Sequence, residues 1–145
     1  MTKITCARPE HMPGILALEK ECFSLPWSEK SFLFELESHD AHFTVAEEGE
    51  KLCGFCILHR LCDDGEIFNV AVSPEKRRHG VGGALIDDAL RAAKAMEIKR
   101  IYLEVRKSND PAQKLYRKYG FSICGIRKNY YDDPKEDAVL MDAEV

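Results

Sequence analysis

The segment at residues 77–84, Arg-Arg-His-Gly-Val-Gly-Gly-Ala, combines cationic side chains with closely spaced glycines. It follows a short apolar run at 67–72, which Pro74 ends because proline cannot continue a strand ladder. Apolar residues then recur at helical spacing over 85–96. Glycines at a helix start expose the first amide groups, and the helix dipole and neighbouring cations favour a negative charge there. The segment therefore predicts a site for a phosphate-bearing ligand.

This segment differs from two familiar glycine motifs. No Gly-Lys-Ser/Thr follows it, so it is not a P-loop. Leu85 stands where a dinucleotide-binding fingerprint needs its third glycine. The expected ligand is therefore of another kind.

Glu104 and Tyr116 have side chains suited to proton transfer. Residues 100–106 alternate, with Glu104 on the polar face of a strand, and Tyr116 lies on the following helix. A carboxylate in a cleft can act as a general base, and a phenol with an ordinary pKa of about 10 can protonate a thiolate leaving group. Periodicity alone leaves two alternatives open: Glu104 could pair with Arg106 or Lys107, and Tyr116 could pack on the sheet.

Three aromatic residues mark two further segments. Trp27 follows a Leu-Pro turn, and Tyr130 and Tyr131 precede an acidic stretch at 132–137. These side chains could line a peptide groove or pack in the core, and both interpretations stay open. The acidic stretch is typical of a solvated loop, although it could also attract a basic substrate.

Cys53 and Cys56 have the spacing of a zinc motif within an apolar run at 52–58 that is typical of a strand. Residues three apart in a strand point to opposite faces. We therefore expect no metal site and interpret these cysteines as small core residues. Disulfides are rare in the cytosol, where we expect the protein to reside.

Length and charge set broad limits on function. The chain has 145 residues, which suits a single domain over 1–145, and its formal net charge is −4. Without an overall basic field, binding to nucleic acid is disfavoured, and the acidic surface suits a basic peptide. No stretch is long and apolar enough to span a bilayer, and the first residues lack a signal-peptide core. We therefore expect a cytoplasmic protein that does not bind membranes.

The predicted elements run in the order strand, two helices, three strands, helix, strand, helix and two strands. This order indicates an α/β (α+β) fold with a mixed central sheet, antiparallel in its N-terminal half and parallel in its central strands, flanked by about four helices. The predicted strands lie at 2–8, 43–46, 52–60, 66–72, 100–106, 121–127 and 138–145, and the helices at 9–23, 29–38, 81–96 and 111–119.

Several helix ends carry recognisable capping residues. Ser28 is expected to cap the second helix, with Ser31 and Glu35 on its polar side. Residues 110–113, Asp-Pro-Ala-Gln, have the form of a capping box, and Gly120 suits a left-handed C-terminal cap.

Together these residues resemble the GNAT acyltransferase superfamily, whose signature Gln/Arg-x-x-Gly-x-Gly/Ala is matched by residues 77–82. In that superfamily the signature follows a strand and opens a helix, as it does here. Within it, the chain is similar to the RimI branch, which acetylates the N-terminal alanine of a small-subunit ribosomal protein. Further segments that carry this resemblance lie at 25–30, 68–72, 103–106, 108–109, 115–116, 119–121 and 127–131.

The resemblance implies a GNAT fold and a role for each site residue. Glu104 would be the base and Tyr116 the acid of direct acetyl transfer. The peptide would lie against the aromatic side chains of Trp27, Tyr130 and Tyr131.

The resemblance also implies acetyl-CoA as co-substrate, with no metal. The backbone of Val70, Ala71 and Val72 would hold the pantetheine arm where two strands splay, and Asn109 would touch that arm. The diphosphate would bind the glycine-rich segment, namely Arg77, Arg78, His79, Gly80, Val81, Gly82 and Gly83.

We therefore predict a monomeric N-terminal acetyltransferase whose partner is the N-terminus of a ribosomal small-subunit protein. One alternative is an N-acetyltransferase with broader specificity for peptides, lysines or small amines. Another is a non-catalytic acyl-CoA-binding partner protein, which the presence of both Glu104 and Tyr116 argues against.

Overall fold

The computed structural model describes residues 2–145, which fold into one mixed sheet with helices on both faces. The strands are β1 (Thr2–Cys6), β2 (Ala41–Glu48), β3 (Lys51–Leu61), β4 (Asp64–Val72), β5 (Arg100–Arg106), β6 (Ser122–Tyr131) and β7 (Glu136–Glu144). The helices are α1 (Met12–Cys22), α2 (Glu29–Glu37), α3 (Val81–Ala95) and α4 (Asp110–Lys118), with short 3-10 turns at Pro9–His11 and Pro74–Lys76.

The sheet has the strand order β1-β2-β3-β4-β5-β7-β6. Neighbouring strands are antiparallel except for β4 and β5, which run parallel and are joined through α3. A parallel pair needs such a crossover because its strands start at the same end of the sheet. The predicted mixed sheet, antiparallel first and parallel at its centre, is confirmed.

The parallel pair separates soon after it forms. Backbone pairing joins 65–67 of β4 to 101–103 of β5, whereas β4 continues to Val72 and β5 to Arg106. At the start of this divergence a register shift against β3 makes Phe68 an extra residue in β4. Within the described residues, the β5-facing edge of β4 beyond Ile67 therefore has no partner strand.

Two hydrophobic cores cover the two faces of the sheet. The α3-side core contains the apolar stripe of α3, including the fully buried Leu85 and Ile86, together with Ile101 from β5. The α1-side core packs Phe32 of α2 against Phe43 and other aromatic residues of β2 and β3. Helices α1 and α2 pack mainly on β2, β3 and β4, which leaves space above β5 and β7 on that face.

The second helix has the predicted cap but an unexpected buried acid. The Ser28 hydroxyl accepts the backbone N–H of Ser31 at 3.2 Å, so the expected cap is confirmed. The prediction of Glu35 on the polar side is wrong, since its carboxylate is buried and lies 2.6 Å from His59 Nδ1. A partly buried polar partner on β3 makes this position available to a charged residue.

The cap of α4 lies one residue earlier than expected. The Asn109 side-chain oxygen accepts the N–H of Ala112 at 3.2 Å, and the helix begins at Asp110. Gln113 donates instead to the carbonyls of Arg106 and Lys107, which holds the turn after β5. The prediction of a capping box at residues 110–113, with Asp110 as its first residue, is therefore wrong. At the other end, Gly120 has a φ of +95°, as its left-handed cap requires.

Cys53 and Cys56 lie in the same core, so the prediction of opposite faces is wrong. A bulge in the β2–β3 pairing falls between Ala46 and Glu47 and makes Cys53 an extra residue, which reverses its side-chain direction. Burial raises the pKa of Cys56 to about 12, which keeps it a thiol. Residues 2–145 contain no group of three or more His, Cys, Asp or Glu arranged to hold a metal ion.

Helix α3, with 15 residues, is the longest of the four helices. No helix within 2–145 combines enough length and apolarity to cross a membrane.

Gly54 brings β3 close to β4 and to the start of α3. A Cβ atom at this position would lie 2.9 Å from the Ala71 carbonyl oxygen and 3.1 Å from Val81. Because a backbone carbonyl cannot rotate away as a side chain can, we expect Gly54→Ala to destabilise the fold by about 2 kcal/mol. Thermal unfolding should show a drop in Tm of about 5–10 °C.

Gly125→Ala is the matched control for this prediction. The nearest atom to its added Cβ would be Leu140 Cδ1 at 3.3 Å, at the end of a flexible side chain. We expect its Tm to stay within about 2 °C of the parent. Equal Tm values for the two variants would contradict the close approach at Gly54.

Candidate active site

A cleft of about 740 Å³ opens where β4 and β5 separate. Its floor is the free end of β4 and β5, and its walls are the segment after α1, the N-terminal part of α4 and the β6–β7 hairpin. The cleft brings together predicted residues from distant parts of the chain, namely Trp27, Val70, Glu104, Asn109, Tyr116, Tyr130 and Tyr131.

Glu104 lies on the cleft side of β5, and one of its carboxylate oxygens is buried without a hydrogen-bond partner among the described residues. The alternative pairing with Arg106 is not present, because that guanidinium binds Glu136 at 3.2 Å and the carbonyls of Asp132 and Pro134. A buried carboxylate oxygen without a partner is costly. Its position in the cleft suits a group that receives a proton or an ammonium ion.

Tyr116 of α4 packs in the core and also lines the cleft. Its ring packs in the α3-side core, with its centroid 5.9 Å from that of Phe121, and the residue also lines the cleft. Burial raises the pKa of Tyr116 well above its usual value, because the phenolate is poorly solvated there. The hydroxyl therefore stays protonated at neutral pH, and it is a weaker acid than an ordinary phenol.

The N-terminus of α3 is open. Gly80 precedes the helix with a φ of +83° and no side chain caps it. The first helical amide with a backbone acceptor is that of Ala84, which donates to the Gly80 carbonyl at 3.0 Å. Within residues 2–145, no hydrogen-bond acceptor is found for the N–H groups of Val81, Gly82 and Gly83. Such amides at the positive end of a helix dipole form an anion site.

The other groups of the glycine-rich segment are partly engaged. The N–H of His79 donates to the Lys76 carbonyl at 3.3 Å. The Arg77 guanidinium donates to the Val72 carbonyl at 3.3 Å and contacts Cys22 Sγ at 3.6 Å. Arg78 makes no ion pair or hydrogen bond with any side chain or backbone group of the described chain. Its guanidinium is therefore available to an anion at the open helix end.

Trp27 likewise packs against the core and lines the cleft. Its ring packs against Phe32 and Phe68, with centroid distances of 5.3 and 6.0 Å, and it lines the cleft as well. Its backbone N–H donates to the Glu19 carboxylate at 2.9 Å. The aromatic wall is therefore fixed through both its side chain and its backbone.

Tyr130 and Tyr131 lie within β6, which is longer than the predicted strand at 121–127. Their rings meet edge to face at 5.1 Å, with Arg127 over the first ring and Arg106 over the second. Burial, followed by the nearby Glu104 carboxylate, raises the pKa of Tyr130 and that of Tyr131, the latter to about 12. Both phenols are therefore hydrogen-bond donors at neutral pH.

The acidic stretch at 132–137 is only in part the solvated loop that was expected. Glu136 accepts from the Arg106 guanidinium and the Ser108 N–H, and Asp137 accepts from the Asn129 N–H at 2.9 Å. These contacts lower the pKa of both carboxyl groups. They tie the β6–β7 hairpin, which carries the tyrosines, to the end of β5.

Among the lining residues that sequence reasoning missed is a hydrogen-bonded pair, Glu19 and Asn69. Glu19 of α1 is 1% exposed and accepts from Asn69 Nδ2 at 3.0 and 3.2 Å. A signal existed for Glu19, since it lies four residues after Ile15, on the buried face of α1. No pattern in the sequence indicates that Asn69, within an apolar strand, is its partner.

Residues 12–121 match the acetyltransferase (GNAT) family. This chain belongs to that family and is an acetyl-CoA-dependent acetyltransferase. It is 42% identical over 135 residues to a Bacillus subtilis protein with the provisional name [ribosomal protein bS18]-alanine N-acetyltransferase, covering 92% of this chain and 89% of that one. It is 33% identical over 143 residues to the [ribosomal protein bS18]-alanine N-acetyltransferase of Escherichia coli K12, covering 97% and 96% of the two chains.

The fold agrees with these relatives. The crystal structure of the ribosomal-protein-S18-alanine N-acetyltransferase from Escherichia coli superimposes with a TM-score of 0.91 at 31% identity, covering 100% of this chain and 94% of that one. The resemblance to the GNAT superfamily and its RimI branch is therefore confirmed.

Proposed function

We propose that this enzyme transfers the acetyl group of acetyl-CoA directly to the α-amine of an N-terminal alanine in a small-subunit ribosomal protein. The observation that carries this proposal is the cleft itself, which the Glu104 carboxylate, with one buried oxygen that has no hydrogen-bond partner among the described residues, and Tyr116 line together with Val70 of the free edge of β4. The names of the two relatives support the same substrate class.

The acetyl-CoA site would use the two open backbone features. The free edge of β4 at Val70, Ala71 and Val72 offers hydrogen-bonding groups to the pantetheine arm, and Asn109 lines the cleft beside it. The open amides at the start of α3, with Arg78, suit the diphosphate. Arg77 would first have to leave the Val72 carbonyl to reach the phosphates.

The chemistry is a direct acyl transfer. The neutral α-amine attacks the thioester carbonyl while Glu104 takes its proton, so that a C–N bond forms. A backbone N–H on β4 stabilises the oxyanion. The C–S bond then breaks, and Tyr116 protonates the departing thiolate. An α-amine has a pKa of about 7.7–8.0 against about 10.4 for lysine, so far more of it is neutral at pH 7.

The surroundings of the cleft favour a basic peptide. Trp27 and the tyrosine pair form walls on opposite sides, which suits a chain rather than a small amine. Glu66 also lines the cleft, and burial, followed by Glu104, raises its pKa. A cationic residue in the peptide would compensate these carboxylates.

The test is a peptide that begins with Ala-Arg and carries an internal lysine, incubated with acetyl-CoA and sequenced by tandem mass spectrometry. We expect acetylation of the α-amine and none of the lysine. The same peptide with a blocked N-terminus is the control and should stay unmodified.

Acetylation of the lysine in both peptides would favour the broader peptide or lysine specificity and contradict this proposal. Calorimetry with acetyl-CoA alone tests the cofactor site separately. Absence of binding by folded protein would contradict the whole assignment of cofactor residues.

A further inference from the structure

The Glu19 carboxylate joins two elements that approach the cleft from different sides. Its Oε2 atom accepts the backbone N–H of Trp27 at 2.9 Å, and both oxygens accept from Asn69 Nδ2, at 3.0 and 3.2 Å. Trp27 belongs to the turn between α1 and α2, whereas Asn69 lies on β4 just beyond the point where β4 leaves β5. One side chain of α1 therefore holds an aromatic wall of the cleft against its floor.

Holding a helix on a sheet through a buried carboxylate costs free energy, because the charged group loses its hydration. Glu19 is 1% exposed, and no cation of the described chain pairs with it. Burial raises the pKa of Glu19, while its hydrogen bonds to Trp27 and Asn69 act in the opposite direction. An apolar side chain here would avoid the desolvation of a carboxylate but could not bind either donor. The hydrogen bonds are therefore the specific contribution of this residue.

The position of Asn69 gives these hydrogen bonds a consequence for the cleft. The bulge at Phe68 turns the side chains of both Phe68 and Asn69 toward α1 and α2. The Phe68 ring packs against the ring of Trp27. The Trp27 turn is therefore joined to β4 in two ways, by apolar packing on Phe68 and by hydrogen bonds that run through Glu19 to Asn69. Without the polar contact, the Trp27 turn keeps only ring packing and can slide along the strand.

We infer that Glu19 is a positioning residue that sets the width of the cleft between the Trp27 wall and the strand edge that receives the thioester. The inference rests on the proposed function, since it assigns Trp27 to the peptide and the edge of β4 to acetyl-CoA. Glu19 touches neither reacting group in this role. It acts through the two residues that it holds.

The role of Glu19 can be tested by removing its hydrogen bonds and then by exchanging donor and acceptor between positions 19 and 69. In Glu19→Met the new side chain can accept from neither Trp27 nor Asn69, so both contacts are lost. In the double variant Glu19→Gln/Asn69→Asp, the introduced glutamine can donate its amide N–H to the introduced carboxylate while its oxygen still accepts from Trp27. The double variant therefore restores the connection with its polarity reversed.

We expect Glu19→Met to raise the peptide KM about tenfold, the effect of losing hydrogen bonds to a charged group. The Kd for acetyl-CoA should stay within about twofold, since Glu19 binds Trp27 and Asn69 and none of the groups assigned to the cofactor. The double variant should recover the KM to within about threefold of the parent. A KM that stays high in a folded double variant would overturn the inference.

A second readout does not depend on catalysis, because Trp27 is the only tryptophan in the chain. Glu19→Met should shift the Trp27 fluorescence emission to the red and increase its quenching by acrylamide, and the double variant should show neither change. Unchanged emission and quenching in Glu19→Met would overturn the inference. If the parent enzyme fails to acetylate the Ala-Arg peptide, the proposed function is wrong, whereas the fluorescence result still decides the role of Glu19.

Glu35→Gln is the matched control. Glu35 is also a buried carboxylate, 5% exposed, but its partner is His59. The amide oxygen of the variant can still accept from His59. We expect an unchanged peptide KM and unchanged Trp27 emission. A response equal to that of Glu19→Met would show a general effect of neutralising a buried acid and would overturn the inference.

Discussion

Glu104→Gln is expected to lower kcat by a factor of about 100 or more while leaving the Kd for acetyl-CoA nearly unchanged. General base catalysis contributes about 10²–10⁴ in rate, and the amide keeps the shape of the carboxylate without its ability to take a proton. The buried oxygen of Glu104 makes no hydrogen bond within the described residues, so the substitution breaks no contact of that atom in the fold. Steady-state kinetics with the Ala-Arg peptide, together with calorimetry, measure the two effects.

Glu144→Gln is a suitable control for this change of charge. Glu144 lies at the exposed end of β7, opposite Arg100, and outside the cleft. The kcat of the Glu144→Gln enzyme should match that of the parent. If Glu104→Gln also turned over at the parental rate at pH 7, Glu104 would have no part in the proton transfer.

Tyr116→Phe is expected to lower kcat by a factor of about 100, because it removes the donor for the thiolate but keeps the ring. The packing of the ring near Phe121 remains, so Tm should change little. Burial raises the pKa of Tyr116, which means that the hydroxyl stays protonated as the pH rises. The parent enzyme should therefore show no loss of kcat between about pH 8 and 10 from ionisation of this phenol.

Tyr102→Phe provides the comparison for the loss of a phenol. Tyr102 is 39% exposed on β5 and does not line the cleft. Its kcat should equal that of the parent. A Tyr116→Phe enzyme as active as the parent would require another acid for the departing thiolate.

Local patterns were enough to predict most of the secondary structure. The helical spacing of Leu85 and Ile86 with later residues located α3, and the alternation around Glu104 located β5 and its polar face. Such patterns follow directly from which face of an element is buried. The order of elements then led to the mixed sheet, because α3 can join β4 to β5 only as a parallel crossover.

The departures from these predictions have a common physical origin. The bulges that make Cys53 and Phe68 extra residues depend on pairing with another strand, and an extra residue leaves no periodic signal of its own. Glu35 and Glu19 are buried because His59 and Asn69, distant in sequence, offer them hydrogen bonds. A single sequence does not reveal such tertiary partners.

The free edge of β4 has a consequence for which ligands the cleft selects. Backbone donors and acceptors there require hydrogen bonds, which water supplies until a guest displaces it. A ligand made only of hydrocarbon would leave these backbone groups without hydrogen bonds, at a cost of about 1–3 kcal/mol for each group. A carrier arm that contains amides can make hydrogen bonds in place of those that the displaced water made. The opening in the sheet therefore selects ligands by polarity rather than by size.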